Sequence, residues 1–298
     1  MKKLLRILIL LVLCQSVFYA NDLAPFYYCQ LKNSKNVYWY PVHLIFKNNN
    51  YNITICSAED VDLFDIPHDK ITDRDYDEKG TFYIKEEKGL ENIYFTSYSD
   101  FTVIKQCGIL NYGKLLYLVS GNLFIDSFWV DRDPPTSPYM ENYTINSSSF
   151  LTEGKLKYDG NTFYYDNHSL IPWVEGVKGD GKGEWIELDF SSTHSEYYPN
   201  CIVDAFLISN GYVNYDKPYL YKANNRVKTL LIECKERDIE YTVELDDTSS
   251  FQLITLPRNL GENPCSVRFI IKDVYKGYKW DDTVINRIIP VSKNYLMN

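Results

Sequence analysis

Histidine is scarce in this chain: His43, His68, His168 and His194 are the only four among 298 residues. None sits in an H-E-x-x-H pair or beside a nucleophile motif, and no G-x-S-x-G occurs, so zinc-peptidase and serine-hydrolase layouts are excluded. Cation-rich stretches are also lacking. Lys and Arg total 31 against 40 Asp and Glu, a formal charge of −9, and residues 1–20 hold Lys2, Lys3 and Arg6 with no acid. Without that segment the chain is more acidic still. Phosphate binding needs clustered cations, so neither nucleic acid nor an anionic lipid surface is an expected partner. No two cysteines have the C-x-x-C spacing of a zinc ribbon. No sustained helical stripe is present, and beyond the N-terminus no apolar run is long enough for a transmembrane helix.

What the chain does have is a core's worth of apolar residues, 45%, and many aromatics, 16% with 27 Tyr. Aromatic and β-branched richness favours strands. "MKKLLRILILLVLCQSVFYA" (1–20) has a basic start, an apolar run and a polar end, the layout of a signal peptide cleaved after Ala20. The expected location is therefore outside the cytoplasm: periplasm, cell surface or medium. Cys14 offers a lipoprotein alternative, with Leu13 a poor residue ahead of a lipidated cysteine. Six cysteines follow the segment: Cys29, Cys56, Cys107, Cys201, Cys234 and Cys265. Three fall in each half, so complete pairing within halves is impossible, and buried thiols and disulfides both stay open.

Residues 22–130 read as short strands, "NVYWYPVHLIF", "YNITIC", "GTFYIKE", "NIYFTSY", "FTVIKQC" and "LLYLVSGNLFI", with turns expected at "NNN", "DEKG" and "NYGK". A small β-barrel or a sandwich fits equally. "DRDPPTSPYMENYTINSSS" (131–149) is rich in Pro and Ser and is the expected linker. Strands resume at 184–190, 201–208, 226–234, 240–245, 251–256, 266–274 and 284–291, several alternating apolar and polar residues. The expected fold class is all-β, with a β-sandwich at 150–292 preceded by a smaller β-rich unit.

The densest chemistry lies in "WVEGVKGDGKGEW" (173–185). Gly176 to Lys182 fits G-x-x-x-x-G-K, but Gly183 stands where a P-loop needs Ser or Thr, and the strand "EWIELDF" follows where a helix is required. Calcium loops of the EF-hand type need carboxylates at alternating positions, and Asp180 alone does not supply them. The residues read first as a tight β connection whose glycines allow positive φ. "WVEGVKGDGKGEWIELDF", then "ISNGYVNYDKPYLYKANNRVKTLLI", then "DVYKGYKWDDTVINRI", together resemble the NADase-type glycan-binding domain. That is a discoidin-like, galactose-binding-like jelly roll, best known as the translocation module of a streptococcal NAD-glycohydrolase toxin. The resemblance spans about residues 148–292. It implies a glycan or glycosylated surface as partner. The family's longer stretch and Asp-Gly turn ahead of Trp-Val-Glu-Gly are shortened in "YYDNHSLIPWVEG", so no ion or ligand role of that turn carries over. Nothing in 22–130 resembles the toxin's catalytic domain, and NAD hydrolysis does not carry over either.

Strand parity gives an independent expectation. If consecutive strands run antiparallel, loops 173–184, 209–225 and 275–283 lie at one pole, joined by Asp246-Asp247. Loop ends on a rigid scaffold are where binding sites usually lie. The candidate ligand-binding residues are Trp173, Glu175, Asp180, Lys182, Asn210, Tyr212, Asn225, Arg226, Trp280, Asp281 and Asp282. Rings suit the apolar face of a sugar, and carboxylates and amides suit its hydroxyls. Each has a structural reading as well: Trp173 and Trp185 as core, Trp185 most of all; Asn210-Gly211 as a turn; Asn225 as a strand cap; Arg226 as a brace for Asp281 or Asp282. No cofactor is expected, a structural Ca²⁺ being the one ion left open. The sequence thus points to an exported, non-catalytic glycan-binding protein. The alternatives are a cell-envelope protein-interaction module and an enzyme whose site lies in the N-terminal half.

Overall fold

In the computed structural model, residues 26–32, 39–47, 50–56, 74–97, 103–112, 115–120, 123–129, 143–161, 163, 171–190, 203–261 and 265–293 are described; side chains are described at 50, 79–96 and from 143 onward. The signal-like segment and Cys14 lie outside them. Two compact units are present, and each is taken by itself.

The first unit contains β1 (Phe26–Lys32), β2 (Trp39–Lys47), β3 (Asn50–Cys56), β4 (Arg74–Glu87), β5 (Leu90–Ser97), β6 (Val103–Tyr112), β7 (Leu115–Ser120) and β8 (Leu123–Trp129). They follow one another around a closed barrel, which β1 and β8 seal through Tyr28 and Trp129. Closure leaves no free sheet edge. The choice between barrel and sandwich is thereby settled in favour of the barrel. The expected turn at "DEKG" is not one: Asp77–Gly80 lie within β4, paired to β3. The reversal comes instead at Lys88-Gly89, where both residues take positive φ, as a two-residue hairpin turn requires.

The second unit contains β9 (Thr144–Ser147), β10 (Thr152–Glu153), β11 (Leu156–Lys157), β12 (Trp173–Val174), β13 (Trp185–Asp189), β14 (Ala205–Asn210), helix α1 (Tyr219–Ala223), β15 (Asn225–Cys234), β16 (Ile239–Glu244), β17 (Gln252–Thr255), β18 (Ser266–Tyr275) and β19 (Thr283–Val291). β17, β14, β19 and β12 form one layer, and β16, β15, β18, β13 and β9 the other. The two meet along one edge through the short parallel pairing Asn225–Thr283 and Arg226–Val284. β13 and β18 alternate buried and part-exposed residues, so their inward set (Ile186, Leu188, Val267, Phe269, Ile271) faces the other layer. Phe206 of β14 meets Phe269 of β18 edge-on at 5.0 Å between ring centres, a contact across the core. Every residue of β19 is buried, with β14 on one side and β12 and β15 on the other.

The sandwich begins earlier than the sequence suggested. Tyr143 is buried, with its hydroxyl donating to the Phe163 carbonyl, and β9 pairs with β13. The stretch at 143–149 is therefore sandwich, not linker. Its Ser and Asn side chains disguise an edge strand as loop.

Candidate functional site

The loops that parity assigned to one pole do meet there. β14 runs up into 211–224, β18 up into 276–282, and β12 up into 175–184, and each then turns down into β15, β19 or β13. Backbone bonds lace them together. Glu175 N–H donates to Thr283 C=O, Gly211 N–H to Val284 C=O, Asn225 N–H to Asp282 C=O, and Trp280 N–H to Ala223 C=O. The link between β16 and β17 joins them through Asp247, whose carboxylate accepts from Arg226 and Lys222.

An inner ring of polar side chains holds this pole together from beneath. Glu175 is fully buried; its Oε1 accepts from Thr283 N–H at 3.1 Å and its Oε2 from Val177 N–H at 2.8 Å. Burial pushes its carboxyl up, against the pull of those two bonds, and Asp282 and Glu184 nearby push it further. Asn210 clamps Val227, donating to its carbonyl and accepting from its N–H. Asn225 donates to the Asp281 carbonyl and accepts from Gly277 N–H. Arg226, 4% exposed, donates twice to the Asp247 carboxylate, at 2.8 and 3.1 Å, and once to the Asn224 carbonyl. Burial of Asp247 alone would raise its carboxyl, but the bonds from Arg226 and Lys222 hold it below the usual range. Trp173 is fully buried, its indole N–H donating to Ser149 C=O. Five of the eleven candidates are thus internal braces or core. The brace expected between Arg226 and Asp281 or Asp282 goes to Asp247 instead, a partner supplied by the adjoining β16–β17 link.

Two glycines serve this ring. Gly181 takes φ +63°, and a Cβ there would come within 2.4 Å of Glu175 Cγ. Gly211, at φ +77°, would likewise strike Arg226 and Tyr221. Only Gly181 closes over the buried carboxylate; Gly176 would strike the Phe150 backbone, and Gly179 and Gly183 stand in open space at positive φ.

The rim is different. Asp180 is ion-paired to Lys276, with Lys182 4.0 Å away, and its carbonyl accepts from the Thr283 hydroxyl. Lys182 pairs with Asp273 at 2.9 Å. Asp281 is 73% exposed and 3.8 Å from Lys276. The half-buried Trp280 has the Lys279 ammonium 4.1 Å from its ring centre. On the other side of the pole, Tyr212 donates to the Tyr158 hydroxyl at 3.4 Å, and Tyr158 donates to Glu153 Oε2 at 3.0 Å. Asp282 lies close by, its carboxyl pushed up by burial first and then by Asp281 and Glu153. Tyr212, part-buried, packs against the cluster of Tyr158, Val174 and Val284, and the part-exposed Asp282 and exposed Glu153 supply two acceptors beside it. Among the described residues no three His, Cys, Asp or Glu come together in a way that would hold a metal ion.

A family model, NAD glycohydrolase translocation F5/8 type C domain, matches residues 139–290, half of the chain. The chain belongs to that family. No curated protein matches it. The F5/8 type C domain is the discoidin-like sandwich described above, and its match opens inside the stretch read as linker, in agreement with β9. No helix among the described residues is long and apolar enough to cross a membrane.

Sequence reasoning missed Glu153 on the rim of the F5/8 type C domain and Tyr158, buried beside it. They sit on and just after the β10–β11 hairpin, whose turn "TEGK" is the only signal and is indistinguishable from a linker tip. It also misplaced Trp185. With Ile186 and Leu188 inward, alternation puts Trp185 on the outer sheet face, where the Arg268 guanidinium stacks 4.0 Å from its ring centre.

Proposed function

We propose that the chain is an exported, non-catalytic recognition protein whose F5/8 type C domain binds glycans at the loop-bearing pole. The observation that carries this reading is the convergence of Tyr212, Asp282 and Glu153 on one side of that pole, above polar groups already bonded to backbone or to an opposite charge. A pyranose offers an apolar face for a ring and hydroxyl donors for carboxylates. A rigid scaffold places both without ordering cost at the moment of binding. Trp280, Asp281, Asp180 and Lys182 extend the same rim. Small contact areas give affinities of ~mM to µM. The scarcity of histidine and the absence of nucleophile motifs support a non-catalytic role. Export is supported by the layout of residues 1–20 and by the family's translocation name.

The test is a glycan array probed with the full mature chain. Saturable signal is expected for wild type, with at least about tenfold loss in Asp282→Asn and Glu153→Gln at unchanged melting temperature. A flat array from folded protein contradicts the reading. N-terminal sequencing of protein recovered outside the cytoplasm should begin at Asn21.

A protein partner is the second reading, and the outer sheet face favours it. Glu187, Glu233, Lys235, Glu236, Ser266 and Arg268 line a groove beside Trp185. Aromatic and Arg pairs of this kind are common anchors at protein interfaces. A stoichiometric partner retained in excess sugar, and lost in Trp185→Ala, would favour this reading over the first.

A further inference from the structure

The sandwich core contains two cysteines whose positions are set by strand register. β15 ends at Cys234, and Cys265 immediately precedes β18. In the β15–β18 ladder Glu233 faces Arg268. Continuing that antiparallel register puts Cys234 level with Val267, so Cys265 is its diagonal neighbour on the same inward face. Both belong to the main hydrophobic cluster, 1% and 3% exposed. Their sulfurs are within hydrogen-bonding reach of each other, and the Cys234 thiol also reaches Glu236 Oε2 at 3.7 Å.

We propose that Cys234 and Cys265 are joined by a disulfide in the mature protein, stapling β15 to β18 at the pole opposite the recognition loops. Both strands have their other ends, Asn225 and Tyr275, at the loop pole. The inference rests on the exported reading only for the source of the oxidant, since disulfides persist outside the cytoplasm.

The two sulfurs are suited to different steps. The hydrogen bond with Cys234, together with the nearby Arg237 charge, draws the Cys265 thiol toward thiolate against the opposing effect of burial. Its partner is held in the protonated form, chiefly by the hydrogen bond with Cys265 and by burial. The oxidant is a disulfide donor, either oxidised glutathione or the disulfide of an oxidoreductase. The Cys265 thiolate attacks one donor sulfur and expels the other as a thiolate. Cys234 then loses its proton and attacks the Cys265 sulfur of the mixed disulfide, expelling the second donor thiolate. Two electrons and two protons leave the cysteine pair, and the donor ends as two thiols. Both sulfurs are buried in the finished core, so exchange takes place late in folding, once Cys234, Cys265 and Arg237 are neighbours but before this end of the core closes over them. The finished bond is then shielded from reductants. It closes a loop over 235–264 that includes β16 and β17, so the unfolded chain loses freedom while the packed strands keep their register.

The experiment maps cysteines in the full chain, refolded from the reduced state in a buffer of reduced and oxidised glutathione, then alkylated, digested and weighed. Peptides containing Cys234 and Cys265 are expected joined and unalkylated, separating on reduction. Alkylation of either one, or its pairing with Cys29, Cys56, Cys107 or Cys201, overturns the proposal. As a second measurement, reductant should lower the melting temperature of the oxidised sandwich by roughly 5–10 °C. That shift should vanish in the Cys234→Ala, Cys265→Ala double variant and overturns the proposal if it persists there unchanged. Mapping reads neither glycan binding nor export, so it succeeds or fails independently of the proposed function.

Discussion

The inner ring and the rim of the loop pole are made of the same residue types and stand in opposite environments. Glu175, Asn210, Asn225 and Arg226 lie beneath the surface, each bonded to backbone or to an opposite charge. Glu153 and Asp281 are exposed at the rim, and Tyr212 and Asp282 are part-exposed beside them. Buried polar groups must be satisfied internally, because leaving one unpaired costs about 1–3 kcal/mol. Groups that water already satisfies can exchange it for a ligand. The lesson is that the polar richness of these loops divides into scaffold and surface, and that only the second part is available to a partner.

Substitutions in the two regions should separate stability from binding. The largest effect is expected for Trp173→Ala, which empties a fully buried site and removes the bond to Ser149; about 3–5 kcal/mol of stability should go, read by denaturant titration. Next comes Arg226→Met, which keeps the volume but leaves Asp247 with Lys222 alone and the Asn224 carbonyl without its guanidinium donor. A loss of about 2–4 kcal/mol is expected. This variant should also change the acid limb. The folded-state pKa of Asp247 is depressed, so its contribution is present above pH 3.8 and is lost as pH falls through the lower folded value. Arg226→Met should shrink that portion of acid sensitivity, leaving the part due to Lys222. Glu175 has the opposite sign. Its folded pKa is raised, so its effect is a penalty that is absent below pH 4.5 and grows as pH rises toward the raised value. The smallest stability effects, within about 0.5 kcal/mol, belong to rim changes such as Asp281→Ala.

Much of this architecture was legible in the chain. Alternation in "EWIELDF" and "SVRFIIKDV" marks the strands, and strand parity alone brings the 173–184, 209–225 and 275–283 loops to one pole, as the backbone bonds among Glu175, Thr283, Asn225 and Asp282 confirm. What sequence could not reveal was depth. Glu175 and Glu153 are the same residue type, and only the path of "KGDGKG" over the first makes it a brace. Asp247 was grouped with the pole, yet its role as the Arg226 partner depends on the β16–β17 link folding back, a tertiary event with no local signature. "DEKG" has turn composition but lies within β4, because ladder pairing to β3 outweighs local preference. Trp185 is a different kind of miss: its strand's alternation already assigned it to the outer face, and hydrophobicity was allowed to outrank position.

The most direct test of the central claim is glycan-array binding by the full mature chain carrying Asp282→Asn, measured beside its melting temperature. Division of the pole into scaffold and recognition rim predicts a wild-type melting temperature with binding reduced at least about tenfold. Unchanged binding by that variant, or loss of binding only in step with unfolding, would contradict it.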